Sequence, residues 1–503
     1  METVNRKISA VLNHFMENGP KKAKCSLIVL LVEDRQQAIG SADPEPNLHP
    51  DASVETKDER KFTPQATSSS QLSIKNYTQS TKPLPPRRAE QIDEQLVKMF
   101  AKGHYPFRMV EDVEFKKLIS VLNPQYALPT RKTISESILQ KLYNKCMEKV
   151  KSEVKEEGQA FCLTTDGWTS INNDNFIALT VHYISTTSDE TKLKSNLIGC
   201  VEYNERHTSD NLAAFLRTIM AEWNIADYTT AIVTDNAANI TAAIRDIGRY
   251  HIPCFAHSIN LAVQAALTPL SETLIKVKSI VEFFKRSSHA QHKLREMQQQ
   301  LNLGVLKLKQ DVPTRWNSTY DMLQRLLSAK DAVIATIAIM RQELALNNDD
   351  WLVIESAAPI LKLFYDITVE TSAEKNVSLA KVIPLCGIMN NHIKAHLNNH
   401  TLSTRVQIMV NTLDKQLEKR FSNIEKHVLY SEATILDPRF KNKGFSQINN
   451  FDQAVATLKK KVGSSLQKTV MTLPSTPEPS TSSRPRLLPS RPYGTNLTKK
   501  WQS

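Results

Sequence analysis

Glycine is scarce, at 12 of 503 residues, against a usual share near 7%. That excludes a collagen-like chain or a fold built on glycine-rich loops, and it favours helices. Cysteine is scarce too. The six, Cys25, Cys146, Cys162, Cys200, Cys254 and Cys386, are scattered with no paired spacing. That excludes a disulfide framework and suits a reducing compartment. No intact set of two cysteines and two histidines at zinc-ligand spacing occurs. Long hydrophobic runs are missing as well. The longest fully apolar run near the N-terminus, Leu27 to Val32, falls far short of the ~20 residues a membrane span needs. No charged n-region and cleavage site frame it as a signal peptide. No self-similar period of about 20–50 residues marks a solenoid. The expectation is a soluble, intracellular chain without a membrane partner.

What is present is length, apolar content and a basic excess. A chain of 503 residues is long enough for two or three folded units, and 41% hydrophobic residues can build a core. Lys and Arg number 64 against 52 Asp and Glu, a net charge of +12. That balance suits a nucleic-acid partner, although many proteins carry it for solubility alone. The segment from 41 to 88 is rich in Pro, Ser, Thr and charge, as in Asp43-Pro44-Glu45-Pro46, and offers few apolar groups to offset ordering. A second such segment runs from Pro474 to the end. Both are expected to be disordered. Lys82, Arg87 and Arg88 make a basic cluster too sparse to establish nuclear import by itself.

Periodicity divides the body between them. Ile92, Leu96, Met99 and Phe100 recur at helical spacing, as do Phe115, Leu118, Ile119 and Leu122. Thr133 followed by Glu136 predicts a capping box opening a longer helix. Lys141, Lys145, Lys149 and Lys151 lie along that helix, as a solvated face or a phosphate-contacting one. From Phe161 the pattern turns β-rich. Phe161–Thr165, Phe176–Ile184 and Leu193–Tyr203 predict strands. A helix over Leu212–Trp223, a strand over Thr230–Thr234, a helix over Ala237–Ile247 and a strand near Ile252 follow. This order is a mixed α/β sheet. From Ala256 the text is helical again, with Ile259, Ala262, Val263, Ala266 and Leu267 on one stripe.

Two aspartates stand at predicted strand ends. Asp166 follows Phe161–Thr165, and Asp235 follows Thr230–Thr234. Open α/β sheets place functional groups at such ends, and two converging carboxylates make a hard oxygen site for Mg²⁺. A plainer reading makes Asp166-Gly167 a turn and Asp235 a helix N-cap. Cys254 and His257 could be half of a zinc site, or only the first turn of the next helix, and no partner pair lies nearby. Trp316, between Arg315 and Asn317, reads most simply as a partly buried helix anchor.

The words around these residues occur in a fixed order: Thr165-Asp166-Gly167-Trp168-Thr169-Ser170, then Val233-Thr234-Asp235-Asn236-Ala237-Ala238-Asn239, then Cys254-Phe255-Ala256-His257, then Arg315-Trp316-Asn317-Ser318-Thr319-Tyr320. Ala433 to Lys441 (ATILDPRFK) is a later marker. The series resembles the hAT superfamily of DNA transposases and the domesticated BED-type zinc-finger proteins derived from them, over about residues 89 to 445. The resemblance implies a ribonuclease H-like catalytic fold interrupted by a large all-helical insertion and preceded by a helical DNA-binding segment. It implies that Asp166 and Asp235 are the first two members of a metal-binding Asp, Asp, Glu triad. It also implies that His257 lies beside the active site and contacts DNA backbone, and that Trp316 stacks on an extruded nucleotide.

The departures shape the expected function. Residues 9–25 resemble the opening of a BED finger, but the second cysteine expected three residues after Cys25 is Ile28, and no closing histidine pair follows. Zinc is expected in the family, yet with Cys25 alone it cannot be held here. No Ser-x-x-Glu-Arg-like segment carrying the third acid follows Lys441. The abrupt change after Cys25 and the unlike tail fit a fragment or short isoform as well as a complete product. The expected layout is a degenerate BED remnant over 1–30, a disordered linker over 31–88, and DNA-binding helices over 89–155. A ribonuclease H-like part over 156–255, a helical insertion over 256–445 and a mostly disordered tail over 446–503 follow. The expected function is a nuclear, transposase-derived, DNA-binding protein related to transcription or chromatin and without cutting activity. It requires no cofactor, although the Asp166 and Asp235 pair could hold Mg²⁺ weakly. DNA contacts are expected at His257, Trp316, Arg315, Lys141 and Lys145, with self-association or chromatin proteins as further partners. The rivals are an active metal-dependent transposase and a protein-interaction scaffold without DNA affinity.

Overall fold

The computed structural model describes residues 84–170, 172–185, 191–372 and 378–471. The expected BED remnant with Cys25, the linker up to residue 83 and the tail past Met471 lie outside the described residues. Contacts divide the chain into two compact units, Met1–Ser378 with Ile388–Ser422, and Leu379–Gly387 with Asn423–Ser503.

The first unit opens with helices. Helix α1 (Pro86–Gly103) starts at a proline, which has no N–H to leave unbonded in a first turn. It therefore takes up the last residues expected to be linker. Helix α2 (Val113–Leu122) is capped by Asp112, which accepts from the Phe115 N–H at 2.9 Å. The capping box expected at Thr133 is displaced by one turn. Thr130 is the cap, accepting from the Thr133 N–H at 3.1 Å, and Thr133 itself has helical dihedrals. The turn Arg131–Thr133 runs through a π-turn, Ile134–Ile138, into α3 (Leu139–Glu157). These helices close on Phe100, which meets Phe107 edge-on at 5.8 Å, and on Ile134, Leu139 and Leu142.

Five strands follow: β1 (Phe161–Thr169), β2 (Asn175–Ser185), β3 (Lys192–Glu202), then α4 (Ser209–Glu222), β4 (Thr229–Thr234), α5 (Ala238–Ile247) and β5 (Tyr250–Pro253). They form one mixed sheet in the order β3-β2-β1-β4-β5. The first three strands are antiparallel neighbours, whereas β1, β4 and β5 run parallel. The apolar residues that made β2 look like a continuous run bury Leu179, Val181 and Tyr183 against Leu216, Ile219 and Met220 of α4.

Helices then continue: α6 (Phe255–Leu267), α7 (Ser271–Arg286), α8 (Ser288–Gln300), α9 (Trp316–Ser328), α10 (Lys330–Met340), α11 (Asn348–Thr371), α12 (Val382–Leu397) and α13 (Thr404–Phe421). The stripe on α6 is buried throughout, with Ala262, Val263 and Ala266 at 0% exposure. Helix α11 opens on a capping box, Asn347 with Asp350, and continues through Pro359. The second unit contains α14 (Val428–Leu436) and α15 (Ile448–Met471). Lys461 pairs with Glu432 at 2.6 Å, tying those two helices together. Helix α15 corrects two expectations, a short helix over Phe451–Val462 and a mostly disordered region from residue 446. Its start is anchored by Glu425, which accepts from the Ser446 N–H at 2.6 Å and the Asn450 amide at 2.8 Å.

Candidate active site at the carboxylate pair

Asp166 and Asp235 both line one cleft of about 180 Å³ in the first unit. Asp166 does not sit at a strand end. The antiparallel pairing carries β1 on to Thr169 and places Asp166 opposite Ala178. The parallel pairing to β4, however, stops at Thr164 with Val233. Asp166 therefore stands two residues past the point where β1 and β4 part, and the gap between them is the cleft. The turn reading of Asp166-Gly167 fails because both residues are within the strand.

Asp235 immediately follows β4. Its carboxylate accepts from the Ala237 N–H at 3.2 Å, and Asn236 adopts a left-handed φ of 71°. This is an Asx turn, so Asp235 lies two residues before the helix N-cap rather than serving as it; that position belongs to Ala237. The other side of β4 is held by the Cys254 N–H, which donates to the Thr234 carbonyl at 2.7 Å. Cys254 thus begins α6 beside both aspartates.

The electrostatics report a crowded site. Asp166 stays exposed to solvent at the cleft, yet the cleft walls displace part of its water and raise its carboxyl above the usual range, and the neighbouring Asp235 charge adds to the rise. The Gly167 amide, Arg315 and His257 oppose it. Burial also pushes the Cys254 thiol up, with both aspartates contributing. Asp166, Asp235, Cys254, His257 and Arg315 therefore share one electrostatic neighbourhood. A half-buried thiol that holds its proton so tightly is a poor metal ligand. The carboxylates offer hard oxygens suited to one weakly held Mg²⁺. Among the described residues no three His, Cys, Asp or Glu side chains gather as a metal site.

Arg315 is exposed at the end of the long connection before α9. Its carbonyl accepts from the Ser318 hydroxyl at 2.6 Å, and the Trp316 N–H donates to the Asn260 side chain at 3.1 Å. The first bond is local to the start of α9, and the second fastens the connection to α6, as does the Gln264 amide, which donates to the Pro313 carbonyl at 3.3 Å. Trp316 itself is only 1% exposed, with Tyr320 and Tyr365 rings at 6.4 and 6.5 Å. The stacking role implied for it is thus not available in this arrangement, since a base needs an open ring face. Lys145 is far from a free cation as well. It pairs with Glu94 at 2.7 Å, whose bond raises the Lys145 pKa, while Lys141 stays exposed.

Sequence reasoning missed His207 and Asn239 in the cleft wall. The Asn239 amide donates to the His207 carbonyl at 2.8 Å, linking α5 to the loop before α4. Thr208 caps α4, accepting from the Asn211 N–H at 3.3 Å, and nothing local in the sequence marks the histidine beside it.

Comparison with known proteins agrees with this geometry. Residues 164–253 match the ZBED1 RNase-like domain, and residues 252–359 match the ZBED1 RNase-like helical domain. The human zinc finger BED domain-containing protein 4 is 27% identical over 370 residues, covering 71% of this chain and 31% of that protein. An AC transposase of Zea mays is 28% identical over 360 residues, 67% of this chain and 43% of that protein. The mouse zinc finger BED domain-containing protein 6 is 26% identical over 372 residues, 70% of this chain and 38% of that protein. The chain thus spans less than half the length of each. In its RNase-like mixed sheet, in the helices that follow it and in these relatives, the chain is similar to hAT-type transposases and BED-type zinc-finger proteins.

Proposed function

We propose that this chain is a nuclear, transposase-derived protein that holds DNA at the Asp166 and Asp235 cleft and does not itself cut it. The observation that carries the reading is the convergence of both aspartates on one cleft, with Arg315 and His257 acting on Asp166. A guanidinium and an imidazole beside a carboxylate pair suit a phosphodiester, which can bond to them as it approaches the acids. The strand order β3-β2-β1-β4-β5 supports a ribonuclease H-like sheet over 156–255, and the proposal takes 256–445 as its helical insertion and 89–155 as DNA-binding helices. The names of the relatives, a transposase and BED zinc-finger proteins, support DNA as the partner, and a role in transcription or chromatin is part of the same proposal. Chromatin proteins or a second copy of the chain are further partners within this reading.

The inactive reading follows from the donor set. An in-line displacement on a phosphodiester needs both the attacking and the leaving oxygen stabilised. Two carboxylates would hold one Mg²⁺ loosely and leave one of those oxygens without a clamp.

The test incubates the purified chain with Mg²⁺ or Mn²⁺ and labelled duplex carrying terminal inverted repeats, alongside Asp235→Ala. The expected result is salt-dependent binding by the wild-type chain and no nicking above background. Nicking that vanishes with Asp235→Ala would make the protein an active transposase instead.

A further inference from the structure

Away from the carboxylate cleft, the helical part of the first unit holds a second concavity of about 110 Å³. It lies between the end of α7, the face of α8 and the connection 301–315. Its floor is apolar, with Phe284 and Leu294 buried and Leu308 nearly so. Its rim is basic, formed by Lys285, Arg295 and Lys307.

The acids on these elements are already taken. Glu282 pairs with Arg286, Glu296 with Lys293 at 3.0 Å, Asp311 with Lys278 at 2.9 Å, and Asp321 with Lys309 at 3.1 Å. None of the ion pairs among the described residues involves Lys285, Arg295 or Lys307. Lys285 bonds only a neutral amide, that of Gln310, at 3.0 Å. Three cations at one small rim with no carboxylate partner repel each other, and that repulsion is relieved by a polyanion.

The connection that carries Lys307 is built rather than slack. It runs fifteen residues, 301–315, with no helix or strand of its own, a length that in compact units is usually functional. Gln298, only 1% exposed, donates to the Leu306 carbonyl at 3.0 Å and accepts from its N–H at 3.3 Å. Arg325 donates to the Lys307 carbonyl at 2.9 Å. The backbone on both sides of the Lys307 side chain is therefore fixed, and the ammonium is presented from a rigid support. The same connection ends at Arg315, which acts on Asp166. Lys307 and Arg315 are eight residues apart, so they are separated by at most about 27 Å. On one strand of a duplex that distance spans roughly eight phosphates, at about 3.4 Å of axis each.

We propose that the basic pocket of Lys285, Arg295 and Lys307 is a second phosphate-backbone contact, gripping the duplex DNA that flanks the strand held at the carboxylate cleft. This rests on the DNA reading above and adds a place and a partner to it. The contact reads no sequence, because it addresses phosphates rather than base edges. Its apolar floor keeps the three heads apart and lets their stems pack against hydrocarbon while the charges remain in water.

The experiment measures the affinity of the full chain for a labelled duplex of about 20 base pairs across a salt series. Wild type is compared with Lys285→Gln/Arg295→Gln/Lys307→Gln, and with a control of equal charge loss, Lys394→Gln/Lys415→Gln/Lys419→Gln, on exposed positions of α12 and α13. Thermal melts confirm that all three chains are folded. The pocket variant is expected to bind at least about tenfold more weakly at 0.15 M salt, with a salt slope shallower by about 2 to 3 units, at about 0.9 per phosphate contact. The control should keep the wild-type slope. A pocket variant with wild-type affinity and slope, or a control that loses as much, overturns the pocket's role and leaves the DNA reading standing. A wild-type chain without salt-dependent affinity overturns both.

Discussion

At the scale of single residues, Asp166 and Asp350 show what a carboxylate does in opposite surroundings. The Asp166 carboxyl is raised by partial loss of water at the cleft and by Asp235, so the folded chain binds its proton more tightly than the unfolded chain does. Stability from this group then falls as pH rises from the usual 3.8 through the raised folded value, and the penalty persists at neutral pH. Asp166→Asn should therefore melt higher than wild type at pH 7, with the gain shrinking towards pH 4. Mg²⁺ should raise the melting temperature of wild type but not of the variant, since only a ligand of the folded state stabilises. A variant less stable at pH 7 would show that Arg315 and His257 outweigh the repulsion. Asp350 is the reverse case. Burial would raise it, but Lys276 at 2.9 Å, Thr273 at 2.7 Å and the Asn347 N–H hold it below the usual range. Asp350→Ala should lose about 2–3 kcal/mol in chemical denaturation, because it removes a charged hydrogen-bond acceptor and a capping box together. The two residues also differed in legibility. Asp166 was marked by the ordered motifs around it, whereas Thr273 and Lys276, which hold Asp350 from 77 and 74 residues away, leave no local pattern.

At the scale of elements, periodicity found each strand of the sheet but misjudged where strands stop. The end of β1 is set by the partner on either side: β2 accompanies it to Thr169, whereas β4 leaves after Thr164. A sequence shows neither partner, so Asp166 was placed at a strand end when it lies at a fork between strands. The Thr133 cap was misplaced for a similar reason, since Thr130 and Thr133 each suit a helix start and only the path of the chain chooses between them. Trp316 was legible as a buried anchor from its place in a helix, and the role implied by resemblance conflicts with its packing against Tyr365, 49 residues further on. The connection from α5 to β5 turns on Gly248, whose φ of 75° ends the helix in the left-handed region. No atom lies within 4 Å of where its Cβ would stand, so a substitution there meets backbone strain alone. Gly248→Ala should destabilise the unit by about 1 kcal/mol, read from the shift in denaturation midpoint, and Gly248→Asn by less. A loss several times larger would mean that β5 itself had moved and, with it, the Thr234 to Cys254 bond that sets the cleft.

At the scale of the molecule, the histidines connect the sheet and the helices to pH. His182 is half-buried in β2, with the Thr164 hydroxyl at 3.0 Å from one ring nitrogen and the Ser195 hydroxyl at 2.8 Å from the other. His392, on α12, donates to the Ile360 carbonyl at 3.1 Å. Burial lowers the pKa of both below the usual 6.5. The folded chain thus holds them neutral while the unfolded chain takes up protons. Their contribution is fully present above pH 6.5 and is lost as pH falls towards the folded values, by up to about 1.4 kcal/mol per pH unit for each histidine. Denaturation between pH 7.5 and 5.5 should show stability falling with acid, and His182→Gln should flatten that slope while keeping both hydroxyls bonded. A flat profile in wild type would mean that the rings are solvated in the folded chain. Thr164 gives this dependence a bearing on the cleft. It is the last β1 residue paired with β4, two before Asp166, and its hydroxyl holds His182. A second proton on the ring would leave no nitrogen to accept from Thr164 or Ser195, and a charge would sit against the strand that carries the carboxylate.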